Sequence, residues 1–378
     1  MRCLADTSLE NKTVALRVDL NVPVRDGSVL DDSRIIAIMP TLEYILERGG
    51  KVLLLSHFGR PTAGSFESQY SLAPIASHLS AALNLDVKLF PTIADVNFDS
   101  KVSLLENVRF LAGELENELE LSKKLASLAD VYIFDAFGTA HRKQASTFGA
   151  IEQSAVSCGG LLLEKEMGAL NQAISSNALP SLAIVGGSKV STKLQVLKNL
   201  VLISSSVITG GGITNTFLKA QGCDVGKSLC ETSMLEEAKK LLDTGKIILP
   251  KKVIVSTGID STDVRECSVN EVEEHEMILD QIIDEVSLAL ISKAKQIIWN
   301  GPVGVFEREV YSKGTRDLAV AIAASSALSL AGGGETLLAI KLFIDSSNIS
   351  YCSTGGGAFL EFMEGKELPS LVALGVKF

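Results

Sequence analysis

The sequence predicts an α/β protein built from parallel sheets covered by helices on both faces and arranged in two domains. Three observations carry this. Short apolar runs alternate with segments of helical spacing along the whole chain. At 378 residues the chain exceeds what one hydrophobic core usually serves. Its composition, 46% hydrophobic and 21% charged, supplies apolar material for full cores.

In chain order, Val14–Val18, Val52–Leu55, Val131–Phe134, Leu182–Val185, Val207–Ile208, Val253–Val255 and Ile297–Trp299 read as strands. Each is a short apolar run without polar alternation, as strands buried on both faces require. Between them, Ile35–Glu47, Leu72–Leu83, Leu119–Leu128, Leu194–Leu202, Met234–Leu242, Asp284–Ile291 and Asp317–Ala327 have helical spacing. The stretch Cys158–Asn177 reads as one amphipathic helix after a glycine pair. It either joins the two domains or is an ordinary surface helix, and periodicity does not separate the two. No fixed-period repeat appears.

Charge and cysteine usage remove several classes. A formal net charge of −10 argues against a nucleic-acid binder, which needs a basic surplus. The six cysteines and four histidines are scattered without CxxC pairs or zinc-ligand spacing, so reduced, buried thiols of a cytosolic protein are expected. No stretch reads as a membrane span, and the N-terminal residues, with Asp6 and Glu10, do not read as a secretion signal.

Ligands of open α/β sheets sit beyond the carboxyl ends of the strands, so the residues that follow each strand come next. In the first half these are Asp19 and Asn21, then His57, Gly59 and Arg60, then Asp135, Gly138, Thr139, His141 and Arg142. Arg109 follows a further short strand, and Arg34 opens the first helix pattern. One such arginine alone is best read as a surface ion pair, and His57 alone as a core histidine. Several arginines recurring at strand and helix ends form a pocket of planar donors for a small, multiply charged anion. In the second half the strand ends are glycine-rich: Gly186-Gly187-Ser188-Lys189, Gly210-Gly211-Gly212, Gly332-Gly333-Gly334 and Gly355-Gly356-Gly357. Glycine admits a ligand close to the backbone, and a following helix start offers free N–H groups to phosphate. Lys189 and Lys193, four apart, share one face of a helix start.

Two look-alikes fail. Gly222–Ser228 resembles a phosphate-binding P-loop but is one residue short and follows a helix pattern. No GxGxxG follows a strand, so a nicotinamide dehydrogenase lacks its fingerprint. The residues alone therefore predict one domain for a small anion, one for a phosphorylated ligand such as a nucleotide, and phosphoryl transfer between them.

At these residues the sequence resembles the phosphoglycerate kinase family. The matching stretches are Arg17–Pro23 (RVDLNVP), Ser56–Pro61 (SHFGRP), Glu106–Phe110 (ENVRF), Asp135–Arg142 (DAFGTAHR), Gly186–Lys193 (GGSKVSTK), Trp299–Glu307 (WNGPVGVFE) and Ser353–Ala358 (STGGGA), in the family's order across nearly the whole chain. The resemblance implies two doubly wound, Rossmann-like domains joined by a helix and closing by a hinge. Residues 1–157 with 365–378 would bind phosphoglycerate, and 158–364, beginning with the linking helix, would bind nucleotide. It implies a cytoplasmic, monomeric enzyme moving a phosphoryl group between 1,3-bisphosphoglycerate and MgADP to give 3-phosphoglycerate and MgATP. Asp19, Asn21, Arg34, His57, Arg60, Arg109 and Arg142 match the phosphoglycerate site, with Arg34 nearest the transferred group. Lys189 matches the catalytic lysine, Lys193 a phosphate ligand, and Gly356 an N–H donor to the transferring charge. Gly187, Gly211, Gly212, Pro302 and Val305 match the adenine pocket; Asn300, Glu307, Gly334, Glu335 and Thr336 match other nucleotide positions, with Glu307 on the ribose.

Three departures stand out. Gly333-Gly334-Glu335-Thr336 places glutamate where the family has the aspartate on the nucleotide's magnesium; glutamate remains a hard oxygen ligand but moves the carboxylate outward. The family's Asp-x-Gly-Pro is absent, since Asp280 runs into Gln281-Ile282-Ile283, and Leu249–Lys252 is a short link to the next strand. The altered metal position leaves a nucleotide-binding protein with lost catalysis as the rival reading.

Overall fold

The computed structural model describes residues 1–175 and 178–376. The chain divides into two compact units, Met1–Gly168 with residues from Lys366 onward, and Ala169–Gly365. The break falls inside helix Leu161–Ser175; positions 176–177, where the sequence extends this helix, lie outside the described residues.

In the first unit β1 (Thr13–Val18) leads into a small hairpin, β2 (Val24–Arg25) and β3 (Ser28–Val29), and then helix Ser33–Glu47. Next come β4 (Lys51–Leu55), helix Ala73–Leu83, β5 (Val87–Phe90), β6 (Val102–Leu105), helix Leu119–Ala126, β7 (Val131–Asp135) and β8 (Ser157–Gly159). The six longer strands form one sheet in the order β5-β6-β4-β1-β7-β8, parallel throughout. β1 is therefore flanked on one side by the next sheet strand in sequence, β4, and on the other by the returning strand, β7. Such a reversal of strand order opens a crevice at the strands' carboxyl ends. Val14, Leu16, Val52, Leu54, Val102 and Ile133 pack with Ile35, Ile38 and Leu42 of the first helix into one buried core.

The second unit repeats the plan. β9 (Ser181–Gly186), helix Val190–Ile203, β10 (Ser206–Gly210), helix Gly212–Gln221 and β11 (Ile247–Ile248) run one way. After an excursion through β12 (Lys252–Ser256), β13 (Arg265–Ser268) and β14 (Met277–Gln281), the chain returns as β15 (Gln296–Asn300), β16 (Leu328–Gly332) and β17 (Tyr351–Ser353). The main sheet is parallel in the order β11-β10-β9-β15-β16-β17, so the reversal lies between β9 and β15. Leu182, Ile184, Ile208, Ile297, Trp299, Leu318 and Ile340 form its core.

All seven runs read as strands are strands, but Val253–Val255 belongs to no parallel sheet. It is the middle of an antiparallel sheet, β13-β12-β14. Val253 and Val255 pack on one side with Leu218 and Val225, and Ile254 packs on the other with Leu279 and Tyr311. Burial of both faces removed the alternation that marks a two-faced antiparallel strand. The predicted helix Asp317–Ala327 instead spans Lys313–Ala324, because Leu328 begins β16. Of the six cysteines, all free thiols, only Cys158 and Cys267 are buried; Cys3 is exposed. Among the described residues no helix is long and apolar enough to cross a membrane.

Candidate active site

The site residues of the first unit collect at the reversal around β1. Asp19 follows β1 directly. Its Oδ2 accepts from Arg34 Nη1 at 2.8 Å, and the same guanidinium nitrogen donates to the Asn21 carbonyl at 3.1 Å. The Asn21 side chain accepts from the Gly59 N–H at 2.9 Å, tying the end of β1 to the loop after β4. Gly59 has φ +57°, and a Cβ there would lie 2.2 Å from the Tyr70 ring, so the loop needs glycine. The Gly59 carbonyl accepts from Arg109 Nη1. Arg109 is placed by Asn107, whose side chain caps the short turn Val108–Phe110 by accepting from the Arg109 N–H at 3.1 Å. Arg142 is half-buried after β7, and Arg60 is exposed.

The electrostatics of this rim are those of cations assembled without enough anions. Burial lowers the Arg109 guanidinium to about 10, with Arg142 and Arg17 adding to the effect. Arg142 is lowered by burial too, against the attraction of Asp19. His57 is pushed well below its ordinary value by burial, then by Arg17, Arg109, Arg142 and Arg34. Nε of Arg109 and Nη1 of Arg142 are buried donors that bond nothing among the described residues. Unsatisfied, mutually repelling donors around one crevice are a receptor for a multiply charged anion.

The second unit uses backbone instead. Gly186 and Gly301, ending β9 and following β15, approach so closely that a Cβ on Gly301 would lie 2.2 Å from the Gly186 carbonyl, at φ +106°. Gly212 opens helix Gly212–Gln221 against Ser188, where a Cβ would meet the Ser188 carbonyl at 2.2 Å. This close packing walls a cavity of about 310 Å³. Gly187, Gly211, Gly212, Pro302, Val305, Glu307 and Glu335 line it, as do the apolar side chains of Leu229, Ile259, Met277 and Leu279. Lys189, Lys193, Asn300, Gly334, Thr336 and Gly356 do not line it.

Several of those six form a buried network around the same loops. Lys193 Nζ donates to the Gly186 carbonyl at 2.5 Å and to Asn300 Oδ1 at 2.7 Å. Asn300 Nδ2 donates to the Gly332 carbonyl at 2.7 Å, and the Thr336 hydroxyl bridges Gly301 N–H at 2.8 Å and Gly332 at 2.9 Å. Burial lowers Lys193 to about 8; the nearby Glu335 carboxylate opposes this only in part. Lys189 is exposed at the N-cap position of helix Val190–Ile203, whose first turn is occupied by Glu231. The Glu231 oxygens accept from Ser191 N–H at 2.9 Å and its hydroxyl at 2.5 Å. Gly334 begins helix Gly334–Phe343, and Gly356, at φ +46°, precedes helix Gly357–Met363.

A family model described as phosphoglycerate kinase matches residues 4–366. The chain belongs to the phosphoglycerate kinase family. Its structure is similar to that of phosphoglycerate kinase from Coxiella burnetii, with 44% identity, TM-score 0.93, and 99% of this chain and 98% of that chain covered. It is also similar to phosphoglycerate kinase from Pyrococcus horikoshii OT3, with 34% identity, TM-score 0.83 and the same coverage. The activity of this family member is reversible phosphoryl transfer between 1,3-bisphosphoglycerate and ADP, giving 3-phosphoglycerate and ATP, as in glycolysis.

A phosphoglycerate kinase that uses a metal-bound nucleotide needs a place for the cation. Among the described residues no cluster of three or more His, Cys, Asp or Glu could hold one. Glu335 is an exposed carboxylate in the first helical turn beside the cavity. That donor set fits magnesium, which is held by one or two carboxylates plus substrate phosphates and keeps several waters.

Reading the residues past each strand end left out Arg17, which lies inside β1, fully buried, with Nη2 3.3 Å from His57 Nδ1. Its signal was the charge itself, a lone arginine in an otherwise apolar strand. Glu231 and the cavity walls Leu229, Ile259, Met277 and Leu279 were also missed, and no local pattern marks them.

Proposed function

We propose that residues 1–157 with 365–378 bind 3-phosphoglycerate and that residues 158–364 bind the nucleotide as its magnesium complex. The observation that carries this reading is the cavity of about 310 Å³, because the residues that match the family's adenine pocket are the ones that wall it. The unsatisfied guanidinium donors of Arg109 and Arg142 support the anion half.

In this reading Arg60, Arg109, Arg142 and His57 take the phosphate and carboxylate of the acid. Asp19 and Asn21 aim Arg34 at the group being transferred, through the 2.8 Å and 3.1 Å bonds to its Nη1. Lys193, Asn300, Thr336 and Gly334 shape the phosphate end of the nucleotide site, and Glu307 the ribose end. Glu335 would hold the magnesium ion, which when bound draws charge off the phosphate oxygens. A carboxylate oxygen of 3-phosphoglycerate attacks the γ-phosphorus of ATP in line. The bond to the β–γ bridging oxygen breaks, and its electron pair leaves with ADP; no proton is transferred. Lys189 and Arg34 neutralise the equatorial oxygens, and the Gly356 N–H donates to them, so catalysis is positioning plus electrostatics. Closure about a hinge unites the two half-sites and excludes water. The reading extends to a cytoplasmic, monomeric enzyme acting on small molecules, and the net charge of −10 argues against nucleic acid as a partner.

The test is Lys189→Ala in steady-state turnover with 3-phosphoglycerate and MgATP. A fall in kcat of roughly 10²- to 10³-fold is expected, the usual cost of removing one oxyanion stabiliser. Unchanged turnover would remove Lys189 from the mechanism.

A further inference from the structure

Behind the arginine rim lies a buried carboxylate that the roles above leave unused. Glu114 is 1% exposed. Its Oε1 accepts from the Ser146 hydroxyl at 2.6 Å and its Oε2 from the Ser146 N–H at 3.0 Å. Burial raises the Glu114 carboxyl above the ordinary range, while Arg17 and Arg109 oppose the rise. Ser146 sits in the widened helical turn Ala145–Gly149, a geometry that recurs at functional sites. With its one proton given to Glu114, Ser146 Oγ has only lone pairs left, and Arg17 Nε donates to them at 2.9 Å. Arg17 also donates Nη1 to the Val18 carbonyl and Nη2 to His57 Nδ1 at 3.3 Å.

An arginine has donors only and keeps its charge in a protein. His57 Nδ1 is therefore an acceptor and carries no proton, which leaves the ring proton on Nε2. Nε2 has no hydrogen-bond partner among the described residues. One nearby group favours a second proton on the ring: Asp19 Oδ1 lies 4.0 Å from Nδ1. That is beyond hydrogen-bond reach, and the other oxygen of Asp19 is bound to Arg34. Against it stand burial of the ring and the charges of Arg17, Arg109, Arg142 and Arg34.

We infer that Glu114 is a positioning residue: through Ser146 and Arg17 it fixes His57 as a neutral imidazole whose Nε2–H is a directional donor to the bound anion, not a further positive charge. This rests on placing 3-phosphoglycerate in the first unit. The arginines then supply attraction, and His57 supplies orientation that does not change across physiological pH.

The test uses the ¹⁵N-labelled full chain and two-bond imidazole correlation spectra from pH 5 to 8, with His57→Gln to assign the ring among four histidines. His57 is expected to show an unprotonated Nδ1 and a protonated Nε2 throughout. A doubly protonated ring at pH 7, or the Nδ1–H tautomer, would overturn the inference. In Ser146→Ala, and separately in Glu114→Gln, KM for 3-phosphoglycerate should rise roughly tenfold, the scale of one hydrogen bond to a charged group. The kcat and KM for ATP should stay within about twofold of wild type, and the His57 ring should lose its single form and show a mixture of the two neutral tautomers. An unmoved KM, or a raised KM with an unmoved ring spectrum, would remove Glu114 from this role. If 3-phosphoglycerate leaves the His57 Nε2 signal unshifted while the tautomer is as stated, the ligand assignment fails and the tautomer stands.

Discussion

The two sheets are wound alike, yet their candidate sites are built from opposite materials. In each, a first strand lies beside its successor on one side and a returning strand on the other, β4-β1-β7 in one unit and β10-β9-β15 in the other. At the first reversal the proposed recognition groups are long side chains, Arg34, Arg109, Arg142 and His57, among bonds to Asp19, Asn21 and Asn107. At the second they are mostly the chain itself, brought together by glycines at Gly186, Gly212 and Gly301. The difference suits the ligands proposed for each. A small acid with charge at both ends is best gripped by planar donors from several directions. A nucleotide needs a flat apolar slot, which Leu229, Ile259, Met277 and Leu279 help to wall here, and close N–H groups, which a backbone without Cβ atoms brings near. One scaffold thus serves two chemistries through its strand ends.

The sharpest way to break this comparison is to put a side chain where the second site uses backbone. A Cβ on Gly186 would lie 1.7 Å from the Pro302 carbonyl. Gly186→Ala should therefore cost about 3 kcal/mol or more of stability in thermal or denaturant unfolding and abolish ADP binding by calorimetry. Binding of 3-phosphoglycerate should change less than about twofold, since the first site gains no clash. An equal loss at both sites would mean that the two are not built independently.

A second prediction uses Lys193, a half-buried cation of the glycine site. Lys193 is lowered to about 8 by burial, below its unfolded value of about 10.4. The unfolded chain therefore binds the extra proton between these values, so this group's destabilising effect is full below pH 8 and fades as pH rises toward 10.4. Bound phosphate favours the charged lysine. ADP affinity should accordingly be flat below pH 8 and fall up to about tenfold per unit above it, with proton uptake visible in calorimetry across buffers of different ionisation enthalpy. A pH-independent affinity from 7 to 9.5 would take Lys193 out of phosphate contact.

A smaller effect is expected at Glu335. Glu335→Asp shortens the ligand arm and should shift the magnesium concentration for half-maximal rate by a few-fold, leaving kcat at saturating magnesium within about tenfold. Turnover that is negligible at every magnesium concentration until Asp is restored would mean that glutamate breaks the site.

Much of what the structure gathers at the two candidate sites was legible because charge and glycine are visible in a one-dimensional string. Arg34, Arg60, Arg109 and Arg142 declared themselves as cations at predicted strand and helix ends, His57 as a histidine just past a strand, and Gly186–Lys189 as a glycine turn before a helix. What stayed hidden depends on tertiary placement. Glu114 and Ser146 are 32 residues apart, and nothing local says that they bond. Leu229, Met277 and Leu279 wall the cavity but read as ordinary core residues, because an apolar side chain looks the same in a core and in a pocket. The sheet around β12 was misread for a related reason, since Val253, Ile254 and Val255 are buried on both faces.

The most direct test of the two-material account is a paired titration. 3-Phosphoglycerate and ADP would each be titrated calorimetrically into wild type, Arg109→Ala and Lys193→Ala. Arg109→Ala should weaken 3-phosphoglycerate at least about tenfold and leave ADP within about twofold, and Lys193→Ala should do the reverse. If either substitution weakened both ligands equally, the arginine rim and the glycine rim would not be separate sites, and the account would be wrong.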